Sequence, residues 1–301
     1  MTISAKVICD SISKDKKRLL TFELRYPRFI HSELMTYRVL SRNASSSRAV
    51  PIEKVIEMVK KDPAIPSRWG LNGKGMQDHG EMTPEGQEAA LKVWLSARNA
   101  AVLHVQKFLN LKEQPHKQIA NRILEPWAHI TVVVTSSSYA NLFGQRLHEH
   151  ADPTFQELAA AMWEAYKAST PKVLAAGMWH LPYIQQFEWD NIGTDLDQDK
   201  MMELVKISVA RCARTSYKTM NGKTSTLEED LILYDKLVGS QPLHASPAEH
   251  QATPDTCKVF IENGKLKKVF DMPELSGNLG PGWIQYRKTL DGENITTYPE
   301  N

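Results

Sequence analysis

The densest concentration of reactive side chains lies between Tyr37 and Arg48 (YRVLSRNASSSR). It holds three arginines (Arg38, Arg42, Arg48), four serines (Ser41, Ser45, Ser46, Ser47) and the amide of Asn43. Hydroxyls and backbone N–H groups in a tight loop can wrap a phosphate, and a guanidinium adds paired, charge-assisted donors. Pro51 opens a helix directly afterwards, and a helix N-terminus favours an anion. A solvated polar loop has the same composition, so the stretch alone carries two readings. Other candidates are weaker. His148 and His150 flank Glu149, but i, i+2 spacing does not place ligands on one helix face, and a third metal ligand is missing. His244 and His250 read as structural hydrogen-bonders. Cys9, Cys212 and Cys257 are far apart, with no CxxC pair, so neither a zinc knuckle nor a disulfide framework is expected.

Taken together, several segments resemble the flavin-dependent thymidylate synthases. The order Arg38, Ser41, Asn43, Ser46, Arg48 is similar to that family's signature, and Pro27-Arg28-Phe29-Ile30 to its lead-in. The block His116 to Arg146 resembles the family's Arg-x-x-x-Pro strand followed by a helix ending in an arginine. His244-Ala-Ser-Pro-Ala-Glu-His250 and Val209-Ala-Arg-Cys-Ala-Arg-Thr-Ser-Tyr217 resemble two further family segments. In typical members these last two precede the arginine–serine stretch; here they follow it, as in a circular permutation, which folds with neighbouring termini tolerate.

The resemblance implies an α+β fold, a mixed antiparallel sheet with helices, as a single domain over residues 1–301. It implies FAD as cofactor, with NADPH and methylenetetrahydrofolate as co-substrates. The reaction would be transfer of a one-carbon unit to C5 of dUMP, in a cytoplasmic homotetramer of a bacterium or phage-infected cell, with sites shared between subunits. Arg48, with Ser45, Ser46 and Ser47, would hold the 5′-phosphate, and Arg122 would add a second nucleotide contact. Arg146 would lie against the uracil, stabilise its N3-deprotonated form and so activate C5, with Glu33 also on the substrate. Tyr37, Arg38, Asn141 and Ser246 would reach the flavin. The chain departs from the signature at Thr36 and Tyr37 (Arg and His in the family), at Ala44 (Glu), at Glu33 (Gln) and at Ala248 (Phe). Those departures keep two alternatives open: another C5 modification, such as hydroxymethylation, on dUMP or another pyrimidine nucleotide, and a non-catalytic nucleotide-binding homologue. No Pro-Cys dipeptide occurs, so the folate-dependent enzyme's cysteine nucleophile is not expected, and no GxGxxG or P-loop supports a Rossmann-type cofactor site.

These residues need elements to position them. Leu20, Phe22, Leu24 and Tyr26 alternate with polar residues as in a half-buried strand. Ile130–Thr135 reads as a buried strand. Helices are expected from Pro51, with Ile52, Val55, Ile56 and Val59 inward, from Thr83-Pro84 to about Leu111, and from Asp152-Pro153 to before Pro171. Two more are expected from Met201 to Cys212 and from Thr226 to Leu237. Residues 62–82 read as a loop, and Asn263-Gly264 as a hairpin turn. The chain has 301 residues, 42% hydrophobic and 24% charged, with 37 basic against 35 acidic side chains. That near-balance argues against a dedicated nucleic-acid binder. The N-terminus lacks a signal-peptide core and no run approaches a membrane span, so a reducing, membrane-free setting is expected.

Overall fold

In a computed structural model, the structure describes residues 3–75, 78–191, 197–215, 225–240, 242–263, 265–294 and 296. A five-stranded sheet organises the chain, in the order β3-β4-β2-β1-β5. Its strands are β1 (Ser4–Ser13), β2 (Arg18–Pro27), β3 (Ser41–Ala44), β4 (His129–Ser136) and β5 (Lys172–Leu174). All pairings are antiparallel except β1 with β5. The fold class is therefore mixed α+β.

The β2 alternation points Leu20, Phe22, Leu24 and Tyr26 to one face, where they meet Phe155, Leu158, Ala159 and Met162 of α6 (Pro153–Ala168) and Leu142 and Phe143 of α5 (Ala140–Arg146). Asp152 caps α6 by accepting from the Phe155 N–H at 2.9 Å. The strand is not half-buried, however. On the opposite face Leu19 and Thr21 are also at 0% exposure, because the C-terminal third folds over them. Leu19 packs there with Leu174, Ala252, Leu279 and Trp283.

Two satellite cores flank the sheet. One joins α2 (Ile52–Lys61), α3 (Pro84–Leu109) and α4 (Lys117–Ile123) through Ile52, Val55, Ile56, Val59, Val102, Val105 and Leu124. The other joins α8 (Gln198–Ala213) and α9 (Leu227–Val238) with Trp179, Leu181 and Tyr286. The short helices α1 (His31–Leu34) and α7 (Gln186–Asp190) complete the helical set used below.

The expected helices and the 129–136 strand form within a few residues of their sequence limits. Thr83 caps α3, with its hydroxyl accepting from Gly86 N–H. The hairpin forms from β7 (Cys257–Glu262) and β8 (Lys265–Phe270), with Asn263 at φ 50°; Gly264 lies outside the described residues. Two more short strands, β6 (Ala252–Pro254) and β9 (Trp283–Gln285), pair over the sheet. One expectation is corrected. The serine-rich stretch is not all loop, since Ser41–Ala44 is an edge strand registered as Ser41↔Thr135 through Ala44↔Val132. Pairing with the β-branched β4 outweighs the low strand propensity of Ser, Arg, Asn and Ala. The strand β1 carries too little alternation to be read from sequence, and exists as the hydrogen-bonded partner of β2.

Candidate active site

The edge strand β3 is where segments remote in sequence meet. Ser41 and Asn43 project toward the C-terminal third. The Asn43 amide donates to the Cys212 carbonyl at 2.6 Å, across 169 residues of chain, and lies 3.5 Å from the Thr215 hydroxyl. Its oxygen is 3.5 Å from the Ser246 hydroxyl, across 203 residues. Ser41 donates to Asn278 at 2.9 Å and receives the Gln285 amide at 3.3 Å. Thus the segments ending in Thr215 and beginning at Ser246 do lie against the arginine–serine stretch, despite their late position in the chain. Ser216 and Tyr217 lie outside the described residues.

A buried polar chain holds the Ser246–His250 turn onto the sheet. His250 Nδ1 is 2.8 Å from the Thr135 hydroxyl, which is 2.6 Å from that of Thr21. Thr21 is in turn 2.8 Å from His180 Nε2, and His180 Nδ1 is 2.8 Å from Ser11. Burial pulls both histidines down to about 3, with the neighbouring His250 adding to the effect at His180, so both are neutral links.

The three arginines of the stretch have different fates. Arg42 is a structural clamp: its Nη1 donates to the carbonyls of Met35 at 2.9 Å and Tyr37 at 3.0 Å, fixing the turn after α1. Arg38 is exposed, and its side chain makes no contact among the described residues; it lines a groove of about 710 Å³ with Arg42, Glu249, Asn278, Gln285, Arg287 and Lys288. The far wall comes from residues 273–288. There Gly277, at φ 55°, lets the Gln285 side chain approach so closely that a Cβ would sit 2.2 Å from its oxygen. Desolvation opposes the Arg287 charge, but bonds to Glu293 and Glu249 outweigh it and raise its pKa. Arg48 is also exposed and makes no side-chain contact among the described residues.

The loop bearing Arg48 is held from behind. Asn121, 1% exposed, donates to the carbonyls of Ser47 and Val50, each at 2.9 Å. Ser45 is consumed by the sheet, its hydroxyl accepting from Thr131 N–H at 3.2 Å, while Ser46 accepts from Arg48 N–H at 3.2 Å. Arg122 follows Asn121 on the same helix and is exposed.

Arg146 stands in a separate cluster, at the last turn of α5. Its Nε donates to the Tyr37 hydroxyl at 2.9 Å, and its Nη1 meets a Glu33 carboxylate oxygen at 2.6 Å. The Tyr37 hydroxyl donates onward to Gln145 at 2.8 Å. The guanidinium also sits 4.6 Å from the Phe155 ring centroid. Glu33, Tyr37 and Arg146 are therefore joined by direct bonds, with Arg38 one residue beyond Tyr37. Asn141 is exposed on α5, with no side-chain partner among the described residues. No direct bond links Arg48 or Arg122 to Arg146 among the described residues.

Sequence reading missed Asn278, Gln285 and Arg287 as lining residues. The only available signal was the Gly282–Arg287 segment, whose aromatics are core: Trp283 is at 0% exposure. It also missed that Arg211 is structural. Arg211 is clamped by Glu188 at 2.6 and 2.7 Å and by Asp230 at 2.8 Å, all buried. Cys212 is buried and in no disulfide, with its sulfur 3.5 Å from the Gln251 amide, in line with a structural role.

No protein-family model matches the chain. No curated protein matches it either. Among solved structures it is similar to the UMP/dUMP methylase PolB from Streptomyces cacaoi bound with 5-Br dUMP, at 18% identity and TM-score 0.45, covering 55% of this chain and 89% of that one. The same protein bound with 5-Br UMP gives 18% identity and TM-score 0.42, over 55% and 88% of the two chains.

Proposed function

We propose that this chain is an enzyme that adds a one-carbon unit at C5 of a pyrimidine deoxynucleotide, in the manner of the flavin-dependent thymidylate synthases. The observation that carries the reading is the convergence at β3. Three segments singled out for one family reach the edge strand of a fourth: β4, within the His116–Arg146 block, pairs with β3, and Cys212 and Ser246, from late in the chain, lie against Asn43. Chance resemblance of separate motifs gives no reason for that contact.

In this reading Arg48 and Arg122 hold the nucleotide phosphate, with Ser46 and Ser47 beside them. The loop's backbone is fixed by Asn121, so the ordering left for binding is that of the arginine side chain. Arg146 faces the base, oriented by Tyr37. Thymidylate formation takes dUMP as acceptor.

The groove fits an anionic, extended cofactor such as FAD. Four cations against two carboxylates line it, and Arg38 is left for a ligand among the described residues. Arg38 is the expected flavin residue that lines this groove and would hold the flavin there, with Asn278 and Gln285 supplying polar wall; Ser246 and Asn141 lie outside its lining. Bound there, a flavin supplies hydride transfer from NADPH to the one-carbon unit delivered by methylenetetrahydrofolate. The chain's part is to orient the base and to hold both ligands in register. The assembly in this reading is a homotetramer, and Val93 and Leu103, exposed on α3, are apolar surface that such an assembly would cover.

Among the described residues no helix is long and apolar enough to cross a membrane. The test is direct. The purified chain is incubated with FAD, NADPH, methylenetetrahydrofolate and either dUMP or dCMP, and the nucleotide product is identified by mass. A product heavier by a one-carbon unit supports the reading. Failure to bind either flavin or nucleotide removes it.

A further inference from the structure

The Arg146 guanidinium does not stand as a lone cation. Glu33, half-buried on α1, places one carboxylate oxygen 2.6 Å from Nη1, and Tyr37 takes Nε at 2.9 Å. Because the Tyr37 hydroxyl spends its own proton on Gln145, it can only accept from the arginine, which fixes the guanidinium in the pair. Of the five guanidinium N–H groups, the one on Nε goes to Tyr37 and one on Nη1 to Glu33; the other three, both on Nη2 among them, have no hydrogen-bond partner among the described residues. The second Glu33 oxygen likewise has no donor among the described residues. The pair thus offers an acceptor and a donor side by side, with no net charge.

We propose that Glu33 selects the base, so that the site takes a pyrimidine nucleotide with an amino group at position 4, of the dCMP class, in preference to the 4-oxo nucleotide. This rests on the reading in which Arg146 faces the base. Two independent arguments lead to it. The first is hydrogen bonding. A carboxylate accepts only, so it suits an exocyclic N4–H donor, while the adjacent guanidinium donates to the N3 lone pair. Uracil presents an oxygen at position 4, and that edge against Glu33 sets acceptor against acceptor. A glutamine, the residue that the family resemblance leads one to expect at this position, has both a donor and an acceptor and carries no such bias.

The second argument is charge. Stabilising an N3-deprotonated uracil requires a guanidinium whose charge is available to the anion. Here a carboxylate already neutralises it at contact distance, and would itself repel the anionic ring. A neutral 4-aminopyrimidine asks for no net charge, so the neutral pair fits it.

The test is nucleotide binding by calorimetry to the full chain with FAD added, for wild type and Glu33→Gln. Wild type is expected to bind dCMP at least about tenfold more tightly than dUMP, the size of discrimination that one good paired base contact gives. Glu33→Gln is expected to lose that preference or reverse it. Equal affinities, or a preference for dUMP, in wild type overturn the inference while leaving the enzyme reading standing. Binding of neither nucleotide overturns both. A wild-type preference that Glu33→Gln leaves unchanged, with the variant's melting curve intact, also overturns the assignment to Glu33. Should that variant not fold, the wild-type ratio decides.

Discussion

Asn43 makes the shortest of the bonds from β3 to the C-terminal third, at 2.6 Å, and its amide can be perturbed in two graded ways. Asn43→Ala removes the 2.6 Å donor to the Cys212 carbonyl. That carbonyl still accepts from the Thr215 hydroxyl at 2.7 Å, so it is not orphaned. The contact to Ser246, at 3.5 Å, is at the outer limit of a hydrogen bond and adds little. The expected loss is therefore that of one ordinary hydrogen bond, about 1 kcal/mol. Asn43→Asp has nearly the same shape, but its carboxylate cannot donate and faces the Cys212 carbonyl, acceptor against acceptor. The lost bond then combines with partial desolvation of a charge, for a total of about 2–4 kcal/mol. Urea unfolding of the three proteins at pH 7 gives both differences from the transition midpoints. Asn43→Asp should be the worse variant by a clear margin. If the aspartate is as well tolerated as the alanine, the amide is not donating across the junction. The convergence at β3 would then lose its principal bond.

Three further outcomes follow from other parts of the molecule. Arg211→Met should cost about 3–5 kcal/mol in urea unfolding, because Glu188 is left as an unpaired buried carboxylate while Asp230 keeps only Arg214; a loss under about 1 kcal/mol would show that the cluster is solvated. His180 and His250 stay neutral in the folded chain down to about pH 3, whereas the unfolded chain protonates them near the ordinary value of 6.5. Between those values the unfolded state binds more protons, so stability should fall as pH drops below about 6.5, by up to about 1.4 kcal/mol per pH unit per histidine; a melting temperature flat from pH 7 to 5 would contradict this. Arg48→Ala should weaken nucleotide binding roughly ten- to a hundredfold, with FAD binding and melting temperature nearly unchanged; equal loss of both ligands would mean that the loop has collapsed.

Much of this architecture was readable before any coordinates, and the exceptions have physical causes. The helices were legible because their apolar faces repeat at helical spacing and their caps are explicit, Thr83 and Asp152 among them. The strand β4 was legible as a β-branched run. By contrast β1 and β3 owe their conformation to partners far away in sequence: Ser4–Ser13 pairs with β2, and Ser41–Ala44 pairs with β4. Local propensity carries no trace of such pairing. The reading of β2 as half-buried was wrong for a related reason. Nothing near Leu19 or Thr21 in sequence shows that Trp283 and His180 will cover them.

For the candidate site, residue types were legible and division of labour was not. Of the three arginines in one stretch, composition alone does not tell which is available: Arg42 is committed to backbone carbonyls while Arg38 and Arg48 are exposed. Ser45 and Ser46 each accept from a backbone N–H, one completing the sheet and the other the turn. A side chain's chemistry is fixed by its type, whereas its availability depends on which backbone groups lie within reach, and those are set by tertiary contacts. The same distinction explains why segment order matters little here. Three residues of β3 make separate connections: Ser41 to Asn278, Arg42 to the turn after α1, Asn43 to Cys212. The order of the segments along the chain enters none of these contacts. What the site requires is that each segment reach the edge strand, and those bearing β4, Cys212 and Asn278 do.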